Sequence, residues 1–271
     1  MSSHEAPRVV VDPYTPAEMA ERVEAGGVAK AALDIPRTLA LAVLAGAFIG
    51  LGAMASTVAG TDTRLGYGPT RLLAGLAFCL GLILILVGGA ELFTGNALIA
   101  MAWAARRVKT VTLLRNWAIV YAGNFLGAAA TAVGIYLSGV HALGSGKVAD
   151  TALAIATAKT SLGFWEALFR GVFCNALVCL AVWLGFSART TTDKILCIVF
   201  PITAFVAAGF EHSIANMYFI PMGMLLQGEA GGPITWAGFL LGNLLPVTLG
   251  NIAGGALMVG LAYWFIFLRQ R

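Results

Sequence analysis

Charged residues are scarce in this chain of 271 residues. Asp, Glu, Lys and Arg together make up 11% of the sequence, whereas 59% is hydrophobic and the mean hydropathy is +0.86. A soluble globular domain carries about 25% charged residues, so this composition excludes that class of protein. The chain is predicted to be an integral membrane protein, with the lipid bilayer as a partner.

Histidine and cysteine are also few, with three and four residues. A zinc site of the H-E-x-x-H type needs clustered ligands, but His4 and His141 fall outside the predicted membrane segments and far from His212. No pair of a nucleophile and a base stands out either. We therefore expect no metal, no cofactor and no enzymatic activity. The four cysteines fall in apolar segments, where they are expected to pack as free thiols: Cys79, Cys174, Cys179 and Cys197.

The uncharged intervals of the sequence predict the membrane spans. A helix needs about 20 apolar residues to cross a bilayer, and the intervals 92–105, 195–210 and 212–228 are too short alone. Joining intervals across Glu91 and across Glu211 gives two long segments, each with room for a broken helix. Six spans result, near 37–59, 70–105, 112–138, 163–187, 194–226 and 238–267.

The first 35 residues differ from the rest in being polar and acidic. A cleavable signal peptide begins basic and turns apolar, so this segment is expected to stay on the chain. The stretch Thr15-Pro16-Ala17-Glu18 combines an N-cap, a proline at the first helical position and an acid at the third. It predicts an amphipathic helix from 16 to about 32 in a cytoplasmic segment 1–35, followed by a six-helix transmembrane domain 36–271.

Lysine and arginine indicate the orientation. If both termini are cytoplasmic, twelve of the 17 basic residues lie on the cytoplasmic side and five lie near or beyond the other face. The twelve basic residues on the cytoplasmic side are spread over four separate segments. They form no single patch, which argues against nucleic acid as a partner.

The sequence repeats itself. GAELFTGN at 89–96 matches GFEHSIAN at 209–216 in its glycine, its glutamate and its final asparagine, at an offset of 120. GNFLG at 123–127 and GNIAG at 250–254 correspond similarly, as do GAF at 46–48 and GVF at 171–173. Each half holds three spans, an odd number, so the second half must be inverted in the membrane. We predict breaks at 91–96 and 211–216, where half-helix ends would aim N–H groups at an anion.

Each polar residue inside the predicted spans can have a structural or a functional role. Inserting an acidic side chain at the centre of a membrane helix costs about 2.5–3.5 kcal/mol of free energy. The presence of Glu91 and Glu211 within the spans therefore indicates a specific role for each. They could hold the breaks by accepting hydrogen bonds from freed backbone N–H groups, and Asn96 and Asn216 fit the same role. His212, at a helix break, is favoured as a pore residue.

Two further features of the spans concern helix packing. Asn175 could equally bridge helices or face a pore. Glycine pairs at 46 and 50, 123 and 127, and 250 and 254 have the spacing of close helix packing.

Four motifs resemble the formate/nitrite transporter family, most closely its formate channels. They are Glu91-Leu92-Phe93-Thr94, FCNALVCLAVW at 173–183, FEHSIANMYFIPMGM at 210–224 and NLLPVTLGNIAGG at 243–255. The resemblance implies an all-α, aquaporin-like protomer whose six transmembrane helices form two inverted three-helix repeats with the second and fifth helices broken. It further implies a homopentamer in the inner membrane that passes formate or a related anion such as nitrite or hydrosulfide.

The resemblance also implies roles for individual residues. His212 matches the central histidine of the family's pore, with Thr94 and Asn175 as hydrogen-bonding neighbours. Lys159, in the outer loop before the fourth span, matches a lysine that makes the pore positive, with Glu211 and Asn216 as polar partners. The constrictions correspond to Leu82, Leu92 and Phe93 on the cytoplasmic side and to Phe78 and Phe205 on the outer side. The N-terminal helix and the 91–96 loop resemble segments implicated in gating.

The sequence departs from the best-known formate channels after Leu-Phe-Thr, where Gly95-Asn96 replaces Ser-Thr, and at Glu91, which is commonly Asp. The departure leaves the exact anion open. Because apolar constrictions oppose a bare charge, we expect Lys159 to attract the anion and a proton received near His212 to neutralise it. A channel for the bare anion is the rival mechanism. A neutral-solute pore is the rival function, although both breaks lack the Asn-Pro-Ala pair of such pores.

Overall fold

The computed structural model describes residues 12–228 and 231–270, and every regular element within these ranges is a helix. His4, Arg8 and Arg271 lie outside the described residues. In chain order the helices are α1 (Pro16–Ala32), α2 (Ile35–Gly60), α3 (Tyr67–Gly88), α4 (Phe93–Asn96), α5 (Ile99–Ala104), α6 (Thr110–Leu137), α7 (Lys147–Thr160), α8 (Phe164–Gly185), α9 (Thr191–Ala207), α10 (Ser213–Gln227) and α11 (Gly238–Phe267).

Helix α1 has the predicted bounds because its capping residues act as the sequence suggests. The Glu18 carboxylate accepts from the Thr15 backbone N–H at 2.7 Å, and the Thr15 hydroxyl accepts from the Glu18 N–H. The bonds that the carboxylate accepts from the backbone N–H and the hydroxyl of Thr15 hold the pKa of Glu18 below its ordinary value. The buried face of α1 is lined by small and apolar residues, Met19, Ala20, Val23, Gly27 and Ala31.

Six spans are present within the described residues, as predicted. Five helices, α2, α3, α6, α8 and α11, are long and apolar enough to cross a bilayer by themselves. The second span is completed by α4 and α5 after a break, and the fifth consists of α9 and α10 on either side of another break. The all-α class and the broken second and fifth spans are therefore confirmed.

The two breaks lie slightly earlier in the chain than predicted. The non-helical residues are 89–92 and 208–212, because helix resumes at Phe93 and at Ser213. Each break has a glycine with a left-handed backbone among its first two residues, Gly89 at φ +82° and Gly209 at φ +73°. Asn96 and Asn216 consequently lie in the first turns of α4 and α10, and the predicted breaks at 91–96 and 211–216 are corrected to these positions.

Helix α7 corrects a second expectation, that Lys159 lies in an outer loop. The residue lies in the last turn of a 14-residue helix that buries Val148, Ala152 and Ala156 at four-residue spacing. The helix packs tightly on α10, because a methyl group on Gly223 would lie 2.3 Å from the Cβ of Ala156. α7 precedes the second half of the fold as α1 precedes the first, so each repeat contains a non-spanning helix in addition to its three spans.

Helices α1 and α7 lie at opposite ends of the bundle, which we call the α1 end and the α7 end. At the α1 end, Arg115 of α6 donates to the carbonyls of Ala31 and Leu33 and so fixes the end of α1. At the α7 end, Lys147 pairs with Asp62 after α2, with 2.6 Å between their charged atoms.

Glycines allow two pairs of spans to touch at the backbone. A methyl group on Gly127 of α6 would lie 2.0 Å from the carbonyl oxygen of Val43 in α2. In the second half, a methyl group on Gly254 of α11 would lie 2.0 Å from the carbonyl oxygen of Val172 in α8. The predicted small-residue spacing thus corresponds to matched α2–α6 and α8–α11 contacts.

Replacing Gly127 by alanine is expected to destabilise the protein by at least about 1–3 kcal/mol, because the methyl group overlaps backbone atoms that cannot move away. Gly134 in the same helix has open space around it, so Gly134→Ala serves as the matched control. That variant is expected to be neutral or stabilised by up to about 1 kcal/mol through helix propensity. Thermal unfolding of the purified protein in detergent compares the two, and equal unfolding temperatures would contradict the contact.

Candidate functional site

The first break is held by a buried polar cluster around Glu91. One carboxylate oxygen lies 2.6 Å from Nζ of Lys30 in α1, and the other accepts from Nδ2 of Asn96 at 2.7 Å. The same amide nitrogen lies 3.0 Å from Oδ1 of Asn116. Glu91 is 5% exposed and Asn96 is 1% exposed, so the acid is paired and hydrogen-bonded, as a buried charge requires.

The second break repeats this arrangement with different residues. A carboxylate oxygen of Glu211 lies 2.9 Å from Nζ of Lys159, and the other accepts from Nδ2 of Asn216 at 2.7 Å. The Asn216 amide nitrogen also lies 2.7 Å from Oδ1 of Asn243 in α11. Lys30, Glu91, Asn96 and Asn116 therefore correspond in turn to Lys159, Glu211, Asn216 and Asn243.

One asparagine in each half bonds the broken backbone directly. Nδ2 of Asn124 donates to the carbonyls of Ala42 and Glu91 at 2.7 and 2.9 Å. Its Oδ1 accepts from the Phe93 N–H at 2.9 Å. Asn251 does the same in the second half, donating to Gly171 and Glu211 and accepting from Ser213. Each asparagine satisfies backbone groups that helix formation leaves unpaired at the break.

Lys30, Asn116, Asn124, Asn243 and Asn251 are the members of these clusters that the sequence reasoning missed. A signal for two of them was present, because Asn124 and Asn251 occupy the same place in GNFLG and GNIAG. The lysine and the remaining asparagines lie on helices without a shared motif. Their pairing with the breaks depends on the three-dimensional packing of α1, α6, α7 and α11.

His212 lies where the two halves meet. It caps α10, and its Nδ1 accepts from the Ala215 N–H at 3.1 Å. A nitrogen that accepts carries no proton, so the neutral ring has its proton on Nε2, which lies 3.0 Å from the hydroxyl oxygen of Thr94 in α4. His212 is 2% exposed. A second proton on the ring would cost the bond to Ala215.

Asn175 contacts backbone and not His212. Its Nδ2 donates to the carbonyl oxygens of Thr94 and Asn251 at 3.2 and 2.6 Å. The side chain thus holds Thr94, the hydrogen-bond partner of His212, against α11. The sequence left two roles open for Asn175, and these contacts are those of a residue that bridges helices.

A cavity of about 440 Å³ at the α7 end leads to His212. Its lining includes Lys159, Glu211 and the aromatic pair Phe78 and Phe205. The two phenylalanine rings meet edge to face with 5.5 Å between centroids, and Phe205 also stacks on the His212 ring at 6.0 Å. The aromatic pair therefore lies directly beside the histidine.

The α1 end is more closed within the described residues. The cavity beside Lys30 holds about 30 Å³ and is bounded by α1, by Leu98 and Ile99, and by Phe186. Leu82, Leu92 and Phe93 are buried in the same apolar core as the aromatic pair but do not line the larger cavity. Phe93 packs edge-on against Trp117 and Tyr121 at 6.0 and 4.9 Å.

A six-span bundle with two half-helices meeting at an isolated histidine defines a membrane channel or transporter. The family model for formate/nitrite transporters matches residues 17–265. The chain is 40% identical to the formate channel FocA of Escherichia coli over 96% of each protein. It is also 40% identical to a probable formate transporter of Methanothermobacter thermautotrophicus, with 94% of this chain and 98% of the relative covered.

Solved structures agree with this assignment. A pentameric formate channel with formate bound superposes with a TM-score of 0.81 at 39% identity, covering 87% of this chain and 98% of that structure. An FNT family ion channel gives a TM-score of 0.82 at 29% identity, covering 92% and 98%. The chain belongs to the formate/nitrite transporter family.

Removing the charge of Glu211 should destabilise the fold strongly. Glu211→Gln leaves Lys159, whose side chain is 14% exposed, without its carboxylate, and breaking a buried pair costs about 3–5 kcal/mol. Glu166→Gln is the matched control, because Glu166 pairs with Arg170 in the same region but is 51% exposed. Its loss should cost less than about 1 kcal/mol. Thermal unfolding in detergent measures both, and a Glu211→Gln protein as stable as the control would exclude a structural role for the pair.

Proposed function

We propose that the protein transports formate, or a related small monovalent anion such as nitrite or hydrosulfide, across the membrane. The observation that carries the proposal is the buried His212, hydrogen-bonded to Thr94 and reached from a cavity that Lys159 lines. The relatives named as formate channels and the formate-bound structure support the choice of anion. Transport without chemical change of the anion fits this site, so we propose no enzymatic activity.

Positive charge at the cavity favours an anion. Among the described residues, three basic side chains line it, Arg71, Lys159 and Arg170, together with the carboxylate of Glu211. Clefts lined by one sign of charge raise the local concentration of the opposite ion. We assign Lys159 the role of attracting the anion, with Glu211 and Asn216 holding the lysine in place through the hydrogen bonds described above.

The apolar rings beside His212 oppose the same anion once it moves inward. Moving an isolated carboxylate into apolar surroundings is prohibitively costly, and such a group takes up a proton instead. We propose that the anion receives a proton from the aqueous cavity near His212, directly or through water. The neutral acid then passes Phe78 and Phe205 and the constriction of Leu82, Leu92 and Phe93, and it releases the proton on the other side.

Orientation and assembly complete the proposal. The positive-inside rule supports a cytoplasmic α1 end, and we place the protein in the inner membrane. A homopentamer with one pore per protomer is supported by the related structure described as pentameric. Large apolar side chains remain exposed along the spans, including Leu76, Phe169, Phe200 and Leu241, and these are available to lipid and to neighbouring protomers.

Uptake into proteoliposomes tests the mechanism. With formate outside, the wild-type protein should give uptake with matched proton movement and little current. His212→Asn should convert this into anion current, because the proposed site of protonation is lost. His141→Asn, which changes a histidine at the α7 end away from the cavity to His212, serves as the control and should behave as the wild type.

Two other outcomes of this experiment have clear meanings. Large wild-type current without proton movement would establish a channel for the bare anion and reject protonation. If formate, nitrite and hydrosulfide all failed to enter, the proposed function would be wrong and a neutral-solute pore would take its place.

Labelling of introduced cysteines tests the orientation. Arg64 at the α7 end and Lys109 at the α1 end are both exposed. A membrane-impermeant maleimide applied to intact cells should modify the Arg64→Cys variant and spare the Lys109→Cys variant until the membrane is permeabilised. The reverse pattern would place α1 outside the cell.

A further inference from the structure

Arg71 of α3 connects the two helices that carry the aromatic pair. Its guanidinium donates to the carbonyl oxygens of Val206 and of Ala207, the latter at 3.3 Å. Both carbonyls belong to the last turn of α9, where helical carbonyls lack partners in the helix itself. The Val206 carbonyl also accepts from the backbone N–H of Gly209 at 3.1 Å, so Arg71 adds a second bond there and supplies the carbonyl of Ala207 with a partner from the neighbouring span.

The first break lacks such an arrangement. At the end of α3 the backbone N–H groups of Gly89 and Ala90 donate to Ile85. Across the part of the chain that the structure describes, no side chain hydrogen-bonds the carbonyls of Leu86, Val87 or Gly88. At the second break, by contrast, Arg170 adds a bond of 3.2 Å to the carbonyl of Gly209. The second break, which carries His212, therefore differs from the first in that two arginines bind its backbone carbonyls.

The position of Arg71 relates it to the aromatic pair. Arg71 precedes Phe78 by seven residues in α3, about two helical turns, so both side chains leave the same face of the helix. The carbonyls that Arg71 binds follow directly after Phe205. One end of the α3–α9 contact is thus held by Arg71, and the aromatic pair lies next to it.

The remainder of the α3–α9 contact is held independently. A methyl group on Gly75 would lie 2.7 Å from the carbonyl oxygen of Thr203, and Sγ of Cys79 lies 3.5 Å from the Thr203 hydroxyl. This close packing holds α3 and α9 together around Gly75 and Cys79. Loss of Arg71 would consequently free the last turn of α9, including Phe205, without separating the helices.

We propose that Arg71 is a positioning residue that sets the width of the Phe78–Phe205 constriction and thereby the size of the monocarboxylate that passes. The inference rests on the proposed function. This positioning role differs from a role in which the charge of Arg71 simply attracts anions. Attraction would change uptake of formate and of larger carboxylates alike, would weaken with salt, and would be preserved by lysine.

Three variants separate these roles: Arg71→Met, Arg71→Lys and Arg64→Met. The last is the matched control, because Arg64 is an exposed arginine just before α3 and makes no side-chain hydrogen bond to any described residue. Formate and acetate uptake is measured in proteoliposomes at two salt concentrations. Hydrogen exchange of the segment 204–210 is measured on the same purified proteins, which requires no transport.

Bracing by Arg71 predicts that Arg71→Met raises the acetate-to-formate ratio by about three- to tenfold, the range corresponding to one net hydrogen bond. Exchange in 204–210 should quicken in Arg71→Met. Arg71→Lys should show a smaller change in both, because an ammonium lacks the fork that reaches two carbonyls, and Arg64→Met should show none.

An unchanged acetate-to-formate ratio would overturn the inference, as would wild-type behaviour of Arg71→Lys combined with a salt-dependent loss of all uptake in Arg71→Met. If the wild-type protein carried neither carboxylate, formate as the transported anion would be rejected separately. The exchange data would then still decide whether Arg71 braces α9, since unchanged exchange would reject it.

Discussion

The fold depends on satisfying broken backbone inside a membrane. Hydrocarbon offers no hydrogen bonds, so each helix break at membrane depth needs protein partners. Asn124 and Asn251 provide them, each binding two carbonyls and one N–H around its break. With those groups satisfied, a half-helix can begin at Phe93 or Ser213 and place Thr94 and His212 within hydrogen-bonding distance of each other.

Paired charges follow from the same constraint. Glu91 and Glu211 each lie two residues before a half-helix begins, and a buried carboxylate at this position needs both a cation and hydrogen bonds. A non-spanning helix in each half supplies the cation, Lys30 from α1 and Lys159 from α7. The sequence suggested that the two acids accept from freed backbone N–H groups, but their carboxylates bind lysine and asparagine side chains, and Asn124 and Asn251 bind the backbone instead. One of the two pairs lies on the lining of the cavity that leads to His212.

The sequence was informative where physical constraints leave few choices. Scarcity of charge located six spans, and the shared glycine, glutamate and asparagine of 89–96 and 209–216 located both breaks to within a few residues. Lys30 and α7 were missed for a common reason. A short helix of mixed polarity such as 147–160 resembles a loop in composition, and a lysine on α1 meets Glu91 only through packing that no local pattern encodes.

The polar clusters have a bearing on how the chain enters the membrane. Each cluster draws its members from its own half, residues 30–124 for the first break and 159–251 for the second. The hydrogen-bond partners of Glu91 are therefore all synthesised before the second half of the chain. The Thr94–His212 bond, which joins the halves, is available only after synthesis of both. The two polar clusters can therefore form separately, whereas the permeation site requires both halves.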